Sequence, residues 1–156
     1  MSDRVGVSGR VYRNTGTYDV PTWVAINKLS DVQLNFAWET ADSSDRTSRV
    51  RKVAKTMVGI SVTARIKTAW SDPGYQAIYA AAVSPGAAID LMILDGATTD
   101  EGARGLRGMW HVTQRNQNQA LGERLYDDVI FTPADRDEQF SAVVVGPGET
   151  LTLTAI

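Results

Sequence analysis

The sequence predicts a mainly β fold: an antiparallel β-sandwich or barrel with one flanking α-helix at about residues 72–84 and a long projecting loop at about residues 37–55. Seven or more segments have strand patterns, whereas only one segment has apolar residues at helical spacing. Strand and helix patterns therefore do not alternate, as they would in a parallel α/β fold. The length of 156 residues indicates a single domain over residues 1–156, because domains usually contain about 100–200 residues.

The N-terminal part of the chain contains predicted strands separated by turns. Residues 9–13 precede Asn14-Thr15-Gly16, a combination typical of turns. A second strand region begins after Pro21. Within it, residues 31–36 alternate apolar and polar side chains, which predicts a half-buried strand.

Residues 37–55 form the predicted loop because they are mostly polar and turn-forming and offer little to bury. Loops longer than about 12–15 residues are uncommon in a compact domain and are often functional or disordered. The next segment, residues 58–66, alternates apolar and polar side chains throughout and is the clearest strand in the sequence.

The predicted helix begins at Asp72-Pro73, an N-cap acceptor followed by proline at the first helical position, and ends before Pro85-Gly86. Its core-facing stripe consists of Tyr75, Ile78, Tyr79, Ala82 and Val83. The opposite face consists of Gln76, Ala77, Ala80, Ala81 and Ser84. Small residues are tolerated in water, but they also permit close approach by a second subunit. We favour an inter-subunit face at Gln76, Ala77, Ala80 and Ala81.

The rest of the chain is predicted to be β. Strand patterns cover residues 89–94, 106–113 and 125–132, and an almost wholly polar connection covers residues 114–123. Gly146-Pro147-Gly148 separates residues 143–145 from residues 150–156, which predicts a final hairpin.

The composition excludes several functional classes. The chain has no cysteine, which excludes disulfides, zinc–thiolate sites and thiol nucleophiles. Its net charge of −2 does not indicate a nucleic-acid surface built on bulk positive charge. No apolar run approaches the about 20 residues of a membrane-spanning helix. Residues Met1–Val5 lack the apolar stretch of a secretory signal, so we expect synthesis in the cytoplasm.

Positive and negative charges occupy different parts of the chain: residues 37–67 carry +4 and residues 85–149 carry −6. Solvated surface charges are one explanation, and such charges contribute little to stability. Complementarity between a basic surface on one copy and an acidic surface on the next is the other. A contact between two different patches would produce rings or filaments. The basic block contains Arg46, Arg49, Arg51, Lys52 and Lys55, and the acidic part includes Asp127, Asp128, Asp135, Asp137, Glu138 and Glu149.

No constellation of residues indicates catalysis, a cofactor or a metal site, and we expect a protein that is not an enzyme. His111 is the only histidine, which excludes a two-histidine metal site and makes a serine triad improbable. The acidic pairs are Asp42 with Asp45 and Asp127 with Asp128. Adjacent strand residues point to opposite faces, so Asp127 and Asp128 do not face one substrate together.

The four tryptophans leave a second interpretation open. Aromatic side chains serve β cores and subunit interfaces, but they also stack on sugars. The alternative to a structural role is therefore a soluble β-sandwich recognition module that binds carbohydrate. The residues concerned are Trp23, Trp38, Trp70 and Trp110.

The order of the segments resembles that of phage tail tube proteins, the major tail protein family. The resemblance covers roughly residues 9–133 and rests on the order and spacing of turn and core residues. The segments that carry it are Gly9-Arg10-Val11-Tyr12-Arg13-Asn14-Thr15-Gly16-Thr17-Tyr18, Pro21-Thr22-Trp23, Leu29-Ser30-Asp31-Val32-Gln33-Leu34, Ala41–Arg46, Ile89–Gly96 and Gly105–Trp110.

The resemblance implies a fold similar to the tube proteins of type VI secretion and contractile injection systems, assembled as hexameric rings that stack into a hollow tube. In that family the sheets of neighbouring subunits line the lumen, and a long loop reaches the neighbouring ring. The implied inter-ring contacts in this chain are Asp42, Asp45, Arg46, Arg49, Arg51, Lys52 and Lys55.

The resemblance also implies a location in the virion tail and partners at the tube ends: tail terminator, baseplate or tip, and tape-measure proteins. DNA would pass through without tight binding, because each neutralised phosphate adds affinity that opposes sliding. We therefore predict that the five basic loop residues point at the neighbouring ring and leave a neutral to acidic lumen.

Overall fold

The computed structural model describes residues 9–119, 121, 122 and 124–156. The predictions made for residues 1–8, and for Ala120 and Glu123 in the polar connection, lie outside the described residues. A 3-10 turn at Pro147–Glu149 precedes the last strand. The elements in chain order are β1 (Arg10–Asn14), β2 (Trp23–Ala25), β3 (Leu29–Asp42), β4 (Val53–Lys67), α1 (Pro73–Val83), β5 (Ile89–Leu94), β6 (Arg104–Asn118), β7 (Tyr126–Pro133), β8 (Ser141–Val145) and β9 (Leu151–Ala155).

All nine described strands belong to one antiparallel sheet, which is not closed into a barrel. Strand β6 divides this sheet, since its first part pairs with β5 and β8 and its last part, residues 110–118, pairs with β7. The six-stranded half contains β2, β1, β5, the start of β6, β8 and β9. The four-stranded half contains the end of β6, β7, β4 and β3. The sandwich prediction is therefore confirmed, and closure into a barrel is not observed.

The main core is built from the inner faces of the two halves together with α1. Trp110, Ile66 and Leu91 are each 0% exposed. The predicted alternation over residues 58–66 is confirmed, because every second side chain from Ile60 to Ile66 is buried.

Strand β5 is buried on both faces. Leu91 belongs to the main core, whereas its neighbour Met92 packs in a second cluster with Tyr12 and Val143. Because successive strand residues point to opposite faces, the second cluster lies on the far side of the six-stranded half. The loop between β5 and β6 contributes Ala103 to that cluster.

Helix α1 agrees with its predicted bounds. The Asp72 carboxylate accepts a hydrogen bond from the Tyr75 backbone N–H at 3.1 Å, which confirms Asp72 as the N-cap. The predicted core stripe is partly wrong, because Val83 is 56% exposed while Ala81 is 7% exposed. Tyr75, Ile78 and Ala81 follow at intervals of three residues on the inner side, and Val83 is rotated away from them.

The predicted loop is shorter than expected. Strand β3 extends to Asp42 and β4 begins at Val53, so only residues 43–52 lie outside strands. Periodicity did not show these strand extensions because the side chains are exposed and alternation reflects burial. For the same reason the half-buried strand predicted at residues 31–36 is wrong in part: Val32 and Phe36 are 37% and 48% exposed.

The C-terminal part of the chain contains one strand that is longer than predicted and one hairpin that agrees with the prediction. Strand β6 continues to Asn118, so it includes the first part of the polar segment that the sequence analysis placed between two strands. The final hairpin is confirmed, with Val145 paired to Leu151 across the turn at Gly146-Pro147-Gly148.

Candidate assembly surfaces

The most prominent surface feature is a long hairpin arm, residues 36–60, formed by the end of β3 and the start of β4. Within the arm the two strands pair only with each other, since β4 reaches β7 only from Val62 onward. Val53 lies nine positions before Val62, and at about 3.3 Å per position the arm extends roughly 30 Å beyond the four-stranded half.

One side of the arm is apolar and continues the core-facing side of the sheet. Phe36 pairs with Ile60 and Trp38 pairs with Val58, which places all four side chains on that side. Phe36 is 48% exposed, Trp38 is 42% exposed and Val53 is 55% exposed. Exposed apolar side chains grouped around Phe36 and Trp38 are typical of an interaction surface.

The tip of the arm, residues 43–52, is shaped by its own aspartates. Asp42 accepts a hydrogen bond from the Ser44 N–H at 2.8 Å, and Asp45 accepts one from the Thr47 N–H at 2.9 Å. The Ser44 backbone bond lowers the pKa of Asp42, and bonds from the Thr47 hydroxyl and then its N–H lower the pKa of Asp45. The two carboxylates therefore order the turns that present the basic residues.

The basic side chains of the tip are exposed, and among the described residues none of Arg46, Arg49, Arg51 and Lys52 forms an ion pair within the chain. Lys55 differs, because its ammonium lies 5.0 Å from the centre of the Trp38 ring on the apolar side of the arm. The structure thus brings the predicted basic residues together on one projecting element.

The predicted inter-subunit face of α1 is only partly exposed. Gln76 and Ala80 are exposed and Ala77 is half-buried. Ala81 was assigned to this face incorrectly, because it packs in the core of its own chain. Val83, at 56% exposure, takes its place on the outer side of the helix.

The sequence did not reveal the two unpaired strand sides of the four-stranded half. Strand β3 pairs with β4 on one side only, and residues 111–118 of β6 pair with β7 on one side only. Among the described residues no other strand pairs with either free side. Unpaired backbone N–H and C=O groups are ready to pair with another chain.

The face of the four-stranded half that points away from the core, called the bare face below, is polar and mostly uncharged. Cross-strand registers define it: Gln33 pairs with Thr63, Arg65 with Asp128, and Asp128 with Asn116. All of its side chains are half-buried or exposed. Its uncharged polar residues are Gln33, Asn35, Ser61, Thr63, Gln114, Asn116, Asn118 and Thr132.

Asp127 and Asp128 point to opposite faces, as predicted. Asp127 is 1% exposed and accepts hydrogen bonds from the Tyr75 hydroxyl at 2.6 Å and from Arg115 Nε at 3.0 Å. Burial and then the Asp127 bond raise the pKa of Tyr75. This network ties α1 to β6 and β7. Asp128 instead accepts a hydrogen bond from Arg65 Nε on the bare face at 3.0 Å.

A second buried network was not recognised in the sequence. Asp90 and Arg107 form an ion pair of 2.8 Å on adjacent strands, with side chains 7% and 5% exposed. Asn14 donates to Asp90 at 3.0 Å, and Arg107 donates to the Tyr18 carbonyl at 2.8 Å. The network therefore fastens the turn after β1 to the six-stranded half.

Both ring nitrogens of His111 contact oxygen atoms of other segments of the chain. Its Nδ1 lies 2.8 Å from the Ala87 carbonyl and its Nε2 lies 3.1 Å from an Asp135 carboxylate oxygen. The bond to Asp135, followed by the bond to Ala87, raises the pKa of His111 above its usual value. The ring therefore links the connection before β5 to the loop after β7.

The tryptophans are spread over separate elements. Trp110 is at the centre of the core, and its ring meets Phe140 edge-on at 4.8 Å between centroids. Trp38 lies on the arm and Trp70 lies before α1, where it packs edge-on against Tyr79. Trp23 borders the second cluster. This distribution does not favour a shared sugar-stacking platform.

In the described part of the chain, no helix has the length and apolar character needed to cross a membrane.

Comparison with known proteins identifies similar folds. No protein-family model matches the sequence, and no curated protein matches it. The structure is similar to a chain of the tail of an empty gene transfer agent (GTA) particle refined with C6 symmetry, with a TM-score of 0.68 and 13% identity over 98% of this chain and 100% of that chain.

Two further solved structures are also similar. A chain of the SPP1 tail tube has a TM-score of 0.67 and 11% identity over 99% of this chain and 80% of that chain. A chain of the anti-feeding prophage baseplate has a TM-score of 0.61 and 11% identity over 93% of this chain and 98% of that chain.

Proposed function

Because the chain has the fold of tail tube proteins, we propose that it is a structural tail tube protein that self-assembles into stacked hexameric rings around a hollow conduit for DNA or effector delivery. The observation that carries the proposal is fold similarity over nearly the full length of the chain to components of a GTA tail and of the SPP1 tail tube. The six-fold arrangement is suggested by the C6 symmetry of the GTA tail.

The two unpaired strand sides support closure into a ring. They lie at opposite margins of the same four-stranded half. A contact between the free side of β3 on one copy and the free side of β6 on the next joins two different surfaces. Such heterologous contacts generate a closed ring when the rotation between copies closes, and pairing would satisfy the exposed backbone groups.

The arm supports contact between copies beyond the sheet. Its apolar side is partly exposed, with Phe36 at 48% and Trp38 at 42%, and among the described residues its basic tip has no ion-pair partner. The sequence places the inter-ring contact at the tip, with Arg46, Arg49 and Arg51, and we extend that contact to the apolar side of the arm around Phe36 and Trp38. The exposed side of α1 at Gln76 and Ala80 is proposed as a second inter-subunit surface.

The proposed location is the virion tail, with the tail terminator, the baseplate or tip and the tape-measure protein as further partners. GTA and SPP1 tail structures and a baseplate structure provide the analogy. No catalytic role is proposed for any residue.

Negative-stain electron microscopy of the purified protein across a concentration series, paired with light-scattering mass, tests the proposal. We expect six-fold rings or hollow tubes whose yield increases with concentration. A homogeneous 17.0 kDa species at every concentration would contradict self-assembly and would favour the recognition-module alternative. Quenching of Trp38 or Trp70 fluorescence by glycans would then support that alternative directly.

A further inference from the structure

The final hairpin, formed by β8 and β9, widens the six-stranded half beyond β6. Strand β8 pairs with the start of β6, and among the described strands β9 pairs only with β8. Strand β9 therefore forms one margin of this half, and β2 forms the other. Edge strands that must stay unpaired usually carry lysine, other charges or proline. Strand β9, Leu151–Ala155, has none of these residues and is exposed from Thr152 onward.

The backbone groups on the free side of β9 can be identified from its register. The Ile156 N–H donates to the Phe140 carbonyl at 2.9 Å, in line with the pairing of β8 and β9. Residues that exchange hydrogen bonds with the partner strand alternate with residues that do not, so the even-numbered residues of β9 bond to β8. The N–H and C=O groups of Leu151, Leu153 and Ala155 therefore point to the free side.

The margin at β2 offers matching groups. The Ile26 N–H donates to the Val11 carbonyl at 2.8 Å, in line with the pairing of β1 and β2. The same alternation makes Val24 the residue of β2 that bonds to β1. The N–H and C=O groups of Trp23 and Ala25 therefore point to the free side, and among the described strands none pairs with it.

The side chains at the two margins also match. Trp23 and Ala25 pack against the second cluster at one margin, and Leu151 packs against it at the other. Leu153 faces the same side because it pairs with the buried Val143, yet it is 44% exposed. Opposite residues of an antiparallel pair share a face. Joining the two margins would therefore extend the second cluster from one copy into the next and cover Leu153.

The two margins face different neighbours in a ring. Three residues connect β2 to β3, and Ile26 and Leu29 line one cavity with Val11 and Ile93. The β2 margin and the free side of β3 therefore lie at the same end of the molecule. The opposite margins, β9 and the end of β6, lie at the other end. The contact already proposed between β3 and β6 of neighbouring copies thus brings β2 toward β9.

Strand direction and layer width both fit this contact. Neighbouring strands in the six-stranded half are antiparallel, so its first and last strands run in opposite directions, and rotation about a ring axis makes β9 meet the next β2 antiparallel. Packed sheets lie about 10 Å apart, so the outer layer of a six-fold ring needs about 10 Å more circumference per subunit than the inner layer. The two additional strands of the six-stranded half, at about 4.8 Å each, supply that width.

We infer that β9 of one copy pairs with β2 of the next copy in the ring, so that the six-stranded halves join into one continuous outer sheet. The partner is a second copy of this chain. This inference rests on the proposed function, and it gives the final hairpin a role that neither the arm nor the four-stranded half supplies.

Cysteine cross-linking tests the pairing, since the natural chain contains no cysteine. Val24 and Thr152 are exposed, and strand alternation places both on the side away from the second cluster. They lie at opposite margins of one chain, so a short bis-maleimide links them only between copies. In assembled tubes of Val24→Cys with Thr152→Cys we expect a ladder of covalent oligomers up to the hexamer on a denaturing gel. Each single variant is the matched control and is expected to remain monomeric on that gel.

Proline substitution tests the backbone pairing itself. Leu153→Pro removes an N–H that points to the free side, and proline is tolerated at such an edge position. We expect Leu153→Pro to lose tube formation and Leu153→Ala, which keeps the N–H, to retain more of it. The melting temperatures of the unassembled chains are compared. Ala155→Pro removes another free-side N–H and keeps the apolar side chains of the cluster, so it provides the test if Leu153→Pro melts early.

The outcomes separate this inference from the proposed function. Tubes of the double cysteine variant that give no ladder would refute the pairing of β9 with β2 and leave the tail tube role standing. Equal tube yields for Leu153→Ala, Leu153→Pro and Ala155→Pro would refute it in the same way. Absence of tubes in the natural chain as well as in every variant would refute the proposed function and the pairing together.

Discussion

Asp90 and Arg107 form an ion pair of 2.8 Å in which both side chains are almost fully buried. Removing one partner of such a pair leaves an uncompensated buried charge. We expect Asp90→Ala to lower the free energy of unfolding by about 3–5 kcal/mol, measured by urea denaturation. Asp128→Ala at the exposed pair with Arg65 is the control, with a loss below about 1 kcal/mol. Equal losses of unfolding free energy for the two variants would contradict the expectation that the buried ion pair stabilises the fold more than the exposed one.

Charge reversal at the arm tip is expected to impair assembly and leave the fold intact. Arg49 and Arg51 are exposed and have no ion-pair partner among the described residues. The variant Arg49→Glu with Arg51→Glu should give fewer tubes by electron microscopy at an unchanged melting temperature. Lys28→Glu with Arg124→Glu, at exposed positions outside the arm, has the same net charge and is expected to assemble normally. Equal tube yields for the two double variants would exclude the tip contact.

Salt is expected to weaken the same contact, because screening acts over about 10 Å at 0.1 M ionic strength. The tube yield of the natural chain should fall as the sodium chloride concentration is raised. The tube yield of the double variant Arg49→Glu with Arg51→Glu should fall by a smaller factor over the same range. A tube yield independent of salt in both proteins would indicate that the tip charges do not contribute to stacking.

Substitution of Trp38 is expected to affect assembly, whereas substitution of Trp110 is expected to affect the stability of the fold. Trp38 is 42% exposed on the arm, whereas Trp110 is 0% exposed in the core. Trp110→Ala should cost about 3–5 kcal/mol of unfolding free energy through the cavity it creates. Trp38→Ala should reduce tube formation with little change in the urea midpoint of the unassembled chain. A large stability loss for Trp38→Ala would show that this side chain serves its own fold.

The contacts of His111 predict a pH dependence. Both ring nitrogens face oxygen acceptors, the Ala87 carbonyl and the Asp135 carboxylate, so the protonated ring satisfies both. The folded-state pKa of His111 is raised, so its contribution to stability is fully present below the unfolded pKa of about 6.5 and is lost as pH rises through the folded value. The pKa of Asp135 is lowered, first by the His111 bond. Its contribution is therefore lost as pH falls through that lowered value.

The comparison of the natural chain with His111→Gln measures this effect. The stability difference between the two proteins should decline above about pH 6.5, as followed by urea denaturation at each pH. Asp135→Asn should reduce the decline, since it removes the carboxylate that raises the pKa of His111. A difference that increases with pH would contradict the assigned protonation state.

Local patterns predicted much of the fold. Alternation from Ile60 to Ile66 identified the central strand, and Asp72-Pro73 identified the start of α1. These features are readable because burial of one face and capping of one helix end each depend on a few neighbouring residues. The uneven distribution of charge along the sequence also identified the basic residues that the structure places on the arm.

Other features depend on residues distant in sequence. The extension of β3 to Asp42 relies on backbone pairing with Val53 rather than on side-chain burial, so no periodicity indicated it. Ala81 and Val83 are both apolar residues near the end of α1, and only the position of α1 against the sheet decides that Ala81 is the buried one. The pairing of Asp90 with Arg107 likewise requires adjacent strands in one register.

The sequence by itself determined the class of fold, the place of the helix, the basic character of residues 46–55 and the resemblance to tail tube proteins. Only the tertiary structure shows that these basic residues lie at the tip of a two-stranded arm with an apolar side. Only the tertiary structure shows that Asp128 contacts Arg65 on the face of the sheet opposite to Asp127. The physical reason is that side-chain alternation and capping are local properties, whereas register, unpaired strand sides and the neighbours of a charge are set by contacts between segments far apart in the chain.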